Sequence, residues 1–248
     1  MPKPVIKTLQ FSAIVVLLFL AWVAMGWARA DLLIREVRQD LTAWQSSGGD
    51  LETLQEWEST RDKLEQAISL RPKEPEYHRL RGYLYEWRFR APITDDNSIL
   101  TAEEYTAYYQ DTLEEILISY RQSIALRPVW PNAWVQLARV KGDFKQHDEE
   151  FSTAVKQTIR YGKNVPRMQL EVNQLAVRNF AFILQDPVLF PLIKENTQRS
   201  FTNNAGLVRQ NINYFNATNM LAFACAWVDT STVSAVAQRA CRQFQPAQ

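Results

Sequence analysis

From Phe11 to Ala28 the chain reads FSAIVVLLFLAWVAMGWA, eighteen residues without a charge, bracketed by Lys7 and Arg29. A helix that is apolar all round has to be surrounded, either by protein or by lipid. Nine of these residues are Val, Ile, Leu or Phe, which favours membrane insertion by about 3 to 5 kcal/mol. About 20 residues cross a bilayer, so residues 9–28 are just long enough. The competing reading is a cleaved signal, because Ala28-Arg29-Ala30 is an A-x-A triplet directly before Asp31. The apolar run exceeds the usual signal core of about 7 to 15 residues, which favours an uncleaved anchor over residues 1–30. Lys3 and Lys7 before the segment nearly balance Arg29, Arg35 and Arg38 after it. The very short head therefore decides the orientation, with the N-terminus inside and the domain outside.

Beyond this segment composition mainly excludes. The 248 residues carry 28 Lys+Arg, 27 Asp+Glu, seven Gly, two His and two Cys. Removing residues 1–30 takes away Lys3, Lys7 and Arg29 and no acid, leaving 25 basic against 27 acidic residues. A formal charge of −2 provides no field for nucleic acid. Few glycines argue against phosphate-cradling loops, and two Cys with two His cannot fill a zinc cluster. No phosphate-loop, dinucleotide, zinc-protease or serine-hydrolase motif occurs, so no metal and no cofactor is expected. His78 and His147 are expected at the surface.

From Asp31 onward the apolar residues recur at helical spacing, as at Leu64, Ala67 and Ile68 before Pro72, and at Tyr120 and Ile124 before Pro128. Strand alternation is almost absent, so the fold class is all-α. Thr101-x-x-Glu104 is a capping box, and Asp186 is placed to cap a helix starting at Pro187. Arg90 to Ser98 has no periodicity and reads as an inserted loop near residues 90–100.

Aligned on their prolines, two segments repeat: Leu64, Ala67, Pro72, Gly82, Tyr85, and Tyr120, Pro128, Trp134, Leu137, Ala138. This pattern resembles the tetratricopeptide repeat, a helix–turn–helix of about 34 residues. Arg81 takes the place where that pattern has leucine. The resemblance implies an α-solenoid of helical hairpins over residues 31–165 behind the transmembrane helix. Residues 166–248 are then divergent repeats or a helical cap. It makes Gly82, Tyr85, Trp134, Leu137, Ala138, Pro72 and Pro128 structural. It also implies that the first helix of each pair lines a concave groove, which puts Arg79, Tyr83, Glu86 and Trp87 from one pair, and Asn132, Arg139 and Asp143 from the next, against a partner. Arginine and aromatic side chains of this kind suit a protein segment, with an anionic polysaccharide as the alternative ligand.

Ile159-Arg160-Tyr161-Gly162 before Pro166-Arg167, the Asp186-Pro187 helix start, a cysteine pair near the end and one N-terminal membrane segment give a narrower likeness. Together they resemble the small membrane-anchored repeat proteins of bacterial exopolysaccharide biosynthesis clusters. The resemblance implies a non-catalytic scaffold that binds a protein component of a polysaccharide synthesis or export complex. It implies a single-pass protein of the bacterial inner membrane with its C-terminal domain in the periplasm. The alternatives are an all-α enzyme acting on polysaccharide, with Glu103 or Glu104 as its acid, and an assembly factor of another envelope pathway. Cys225 and Cys241 stand sixteen residues apart. If Ala217 to Val228 and Val233 to Cys241 are antiparallel helices, an oxidising compartment favours a disulfide. Two buried free thiols and a reactive thiol are the other readings of the pair.

Overall fold

The structure is a computed structural model that describes residues 3–46, 54–90, 101–203 and 205–244. The described residues form twelve α-helices and one short 3-10 turn, with no strand among them. The chain divides into two compact units, Met1–Leu126 and Arg127–Gln248. The expected division between residues 165 and 166 falls inside the second unit. The physical reason is that the helix beginning at Pro166 packs on both helices before it. The inserted loop near residues 90–100 lies outside the described residues, apart from Arg90 at the end of its helix.

The first unit holds α1 (Lys3–Ser46), α2 (Leu54–Leu70), α3 (Pro75–Arg90) and α4 (Ala102–Leu126). The expected anchor boundary at residue 30 falls in the middle of α1, which continues without a break. Nothing between Ala28 and Ser46 is a glycine or proline, so no residue there interrupts the hydrogen-bond ladder. At about 1.5 Å per residue this helix is about 66 Å long. Ala30, Ile34, Val37, Leu41 and Trp44 are buried at alternating steps of four and three, the seam of a helix packed lengthwise on its neighbours. Against it lie Trp57, Leu64 and Ala67 of α2 and Tyr77, Leu80, Leu84 and Trp87 of α3. Trp57 Nε1 donates to the Leu84 carbonyl at 3.0 Å, so the ring is anchored as well as buried. On the far side of α3, α4 buries Ile116, Tyr120 and Ile124. The capping box is present: the Thr101 backbone N–H donates to Glu104 at 2.8 Å, and the Glu104 N–H donates back to Thr101 Oγ1 at 3.3 Å.

The second unit holds α5 (Pro131–Asp143), α6 (Glu149–Gly162), α7 (Pro166–Arg178), α8 (Phe180–Gln185), α9 (Leu189–Thr202), α10 (Ala205–Ala217), α11 (Leu221–Trp227) and α12 (Ala235–Cys241). Pro131 and Pro166 open their helices, where a missing N–H costs nothing. Asp148 caps α6 by accepting from the Phe151 N–H at 2.9 Å. Asp186 accepts from the N–H groups of Val188 and Leu189. The expected start at Pro187 is not seen: the helix starts at Leu189 with Val188 as its N-cap, Pro187 sits in the turn, and Asp186 takes up the first N–H groups from two residues before the cap.

The centre of this unit is polar. Asn173, fully buried, donates to Ser200 Oγ at 2.9 Å and to Asn211 Oδ1 at 2.7 Å, and accepts from Asn196 at 2.8 Å and Thr197 at 3.1 Å. A buried amide costs stability unless its hydrogen bonds are made. Here the bonds tie α7, α9 and α10 in one register. Cys225 of α11 and Cys241 of α12 form a disulfide with Cα atoms 5.4 Å apart. The two helices are shorter than expected, since Val228 to Ser234 form the connection, with Ser234 capping α12.

Candidate interaction surfaces

The α3 residues expected in a groove do not form an open face. Trp87 is only 4% exposed and packs edge-on against Trp44, centroids 6.1 Å apart. Glu86, 5% exposed, accepts from the Tyr120 hydroxyl at 2.5 Å. Tyr83 is half-buried with its ring edge-on to Trp87. Arg79 makes two hydrogen bonds of 2.8 Å to Glu76. The reason is that α3 has neighbours on both sides, α1 and α2 on one and α4 on the other. Tyr77, Leu80, Leu84 and Trp87 fill the first side.

Two further arginines of α3, Arg81 and Arg88, are equally engaged. Arg81 pairs with Glu65 at 2.7 Å and Glu115 at 3.0 Å. Burial opposes its charge, but the Glu65 hydrogen bond and the nearby carboxylates outweigh that and hold its pKa above the ordinary value. Arg88 lies over Trp57 at 4.6 Å and Tyr108 at 5.4 Å, the geometry of a cation–π contact. The structural role given to Gly82 is seen directly: a Cβ there would stand 2.8 Å from the Tyr120 ring. Tyr85 is half-buried, edge-on to Trp57 at 5.3 Å.

The remaining expected groove residues belong to the second unit. Asn132 is half-buried; Arg139 donates to Gln136 Oε1; and Asp143 pairs with Arg178 at 3.5 Å. Leu137 and Ala138 are buried as expected. Trp134 is not: it lies half-exposed and donates from Nε1 to the Pro128 carbonyl at 2.7 Å, closing the turn before α5. Pro72 likewise sits in the turn after α2, where its carbonyl accepts from His78 Nε2 at 2.8 Å. That bond explains why His78 is buried and not at the surface. His147 is half-buried, stacked on Phe182 at 4.4 Å and donating to Asn179 Oδ1.

Among the described residues no group of His, Cys, Asp and Glu has the geometry of a metal site. Glu104, one of the two acids named for an enzyme, has its carboxyl held below the usual range by the Thr101 backbone N–H and hydroxyl. A general acid needs the opposite shift.

Among the described residues two apolar surfaces carry exposed large side chains. The larger is α1 from Ile14 to Trp27, where Leu18 is 65% and Trp22 69% exposed. This stretch is long and apolar enough to cross a membrane. At its end Arg71 donates to Asp31 at 2.9 Å and pairs with Glu74, while the Tyr77 hydroxyl donates to Asp31 at 2.9 Å. Burial first, then the Asp31 hydrogen bond, pushes the Tyr77 phenol up to about 12. This cluster ties α1 to the α2–α3 turn.

The second surface is aromatic and lies on α8, α9 and α11. Phe180 stacks on Trp227 at 6.0 Å and tilts against Phe223 at 5.2 Å, and Phe190 meets Trp227 at 5.6 Å. Leu184, Val188 and Phe223 are exposed beside them. Sequence reasoning missed this face. The available signal was Phe180-Ala181-Phe182-Ile183-Leu184, whose apolar residues point to more sides than one short helix buries.

No protein-family model, no curated protein and no solved structure matches the chain.

Proposed function

We propose that the chain is a non-catalytic scaffold of bacterial exopolysaccharide synthesis or export. It is anchored by α1 as a single-pass protein of the inner membrane and holds a protein partner on the periplasmic side. The observation that carries this reading is the continuity of α1, whose exposed apolar rod runs directly into the core of the first unit. A first unit built on its own anchor has little freedom to swing about it, and tethering two proteins to one membrane raises their effective concentration without new contacts. The disulfide supports an oxidising compartment. Pro131 and Pro166 open successive helix pairs at a spacing close to the tetratricopeptide length of about 34 residues, and α7 packs on both α5 and α6.

The partner surface moves from the α3 residues to the aromatic face of Phe180, Phe190, Phe223 and Trp227. Aromatic side chains concentrate binding energy when a partner desolvates them, and the exposed Phe223 lies against the half-buried rings of this face, which a partner would cover further. The test is a photo-crosslinking residue at Phe223 in living cells, with Glu195 as control. The expected result is one crosslinked protein at position 223, a component of a polysaccharide synthesis or export complex, and none at 195. A partner from another envelope pathway, or shortening of the polymer by the purified protein, overturns the reading.

A further inference from the structure

The junction between the apolar half of α1 and the α2–α3 turn contains an open cleft of about 440 Å³, lined by Trp22, Val23, Gly26 and Arg29 from α1 and Ser69 and Leu70 from α2. A second cleft of about 310 Å³ adjoins it, sharing Trp27 and Leu70 and extending to Arg71, Pro72 and Lys73. A Cβ on Gly26 would lie 3.9 Å from Leu70 Cδ2. The end of α2 is therefore level with Gly26, inside the uncharged run Phe11–Ala28. If α1 crosses a membrane, this places Leu70 and the turn after it at the lipid headgroups. The chemistry of the walls agrees with that depth. Trp22 and Trp27 are the residue type found at membrane–water interfaces.

The charges at the rim do not cancel. Arg71 is shared between Asp31 and Glu74, which outnumber it by one charge. Arg29 at the first cleft and Lys73 at the second are exposed and make no ion pair with the described residues, so together with Arg71 the adjoining rims set three basic groups against Asp31 and Glu74, one positive charge in excess beside an apolar floor.

We propose that this cleft binds one anionic glycerophospholipid, its acyl chain against Val23, Gly26 and Leu70 and its phosphate between Arg29 and Lys73. The apolar floor selects a lipid over a soluble phosphate, and the two cations select an anionic headgroup over a zwitterionic one. The bound lipid would fix the depth of the anchor and the attitude of the first unit on the membrane. This inference rests on the reading of α1 as a membrane anchor, and its test separates the two.

The full chain carrying Ser69→Cys is labelled with bimane, the native cysteines being occupied by their disulfide. It is reconstituted in phosphatidylcholine vesicles doped at equal mole fraction with spin-labelled phosphatidylglycerol or spin-labelled phosphatidylcholine. The spin-labelled phosphatidylglycerol should occupy the quenching site in preference, by about fivefold for each of the two basic residues at a membrane surface. Arg29→Gln with Lys73→Gln should reduce its quenching to the phosphatidylcholine level while the protein still floats with the vesicles. Equal quenching by the two lipids in the unsubstituted protein overturns the lipid site and leaves the anchor standing. Loss of quenching by both, with the unlabelled Ser69→Cys variant forming a disulfide-linked dimer, assigns the cleft to a second copy and also overturns it. A protein that fails to float with the vesicles overturns the anchor and the lipid site together.

Discussion

Residues 12–29 and 30–46 of α1 belong to one unbroken helix, yet they meet their surroundings in opposite ways. The first stretch exposes the consecutive residues Ile14, Val15, Val16, Leu17 and Leu18, which go right round the helix, while the second hides Ala30, Ile34, Val37, Leu41 and Trp44 in a single stripe and carries Arg35, Glu36, Arg38 and Asp40 on the rest of its surface. Both are rich in large apolar side chains, so hydrophobicity alone does not separate them. Their angular distribution does. A stripe is satisfied by α2 and α3, whereas a fully apolar circumference requires a solvent that surrounds it, and a bilayer is such a solvent. The lesson is that one helix carries two instructions, and the switch between them occurs within about one turn near Ala30.

The largest expected effect breaks the seam. Val37→Asp puts an unpaired carboxylate into the first core and should destabilise that unit by about 4 kcal/mol, read as a lower denaturant midpoint in detergent. The same charge in the other half, Leu18→Asp, should leave that midpoint unchanged. It should instead cost about 3 kcal/mol of membrane insertion, read as the inserted fraction in a translocon assay. If both substitutions lower the midpoint, the two halves of α1 are not different surfaces.

The junction itself is tested by pH. Tyr77 has its folded pKa raised to about 12 by burial and by Asp31, above the ordinary value of about 10. Its contribution is therefore fully present below pH 10 and is lost as the pH rises to about 12. About 2 to 3 kcal/mol of stability should vanish across that window in the native chain, and that part of the loss should be absent from Tyr77→Phe. The smallest effects mark the edge of the seam. Ala30→Leu overfills a fully buried position and should cost about 2 kcal/mol. Gly26→Ala, which meets Leu70 only at ordinary contact distance, should stabilise the helix by about 0.5 to 1 kcal/mol. Thermal unfolding of the two variants side by side measures the difference.

Features encoded locally were readable before the fold was known. The apolar run, the Thr101–Glu104 box and the Gly82 contact each depend on residues within a turn or on one close approach. The disulfide was one of three readings of Cys225 and Cys241, and the short helices α11 and α12 bring the two together. What could not be read was the number of neighbours each helix acquires. Periodicity assigns faces to α3, but only the tertiary arrangement shows that α1, α2 and α4 together take up Trp87 and Glu86. The partners of Arg81, Glu65 and Glu115, were hidden because they lie on two other helices, whereas Glu76, three residues before Arg79, was within reach of a reading along the helix. The continuity of α1 was present in the sequence as the lack of any breaker around residue 30. The A-x-A triplet drew a boundary there that the helix ignores. The aromatic face of α8, α9 and α11 was hidden because helices of six or seven residues are too short to show a period.

If α1 is the membrane anchor, it changes from a lipid-facing to a protein-facing helix without a break near Ala30. Nitroxide labels placed singly from Ile14 to Trp44 in the vesicle-reconstituted chain, read by their accessibility to oxygen and to a water-soluble nickel chelate, test it most directly. High oxygen and low nickel access are predicted at every position from Ile14 to Met25, then a helical period with minima at Ala30, Ile34, Val37, Leu41 and Trp44. A helical period beginning at Ile14, or nickel access at Leu18, would contradict it.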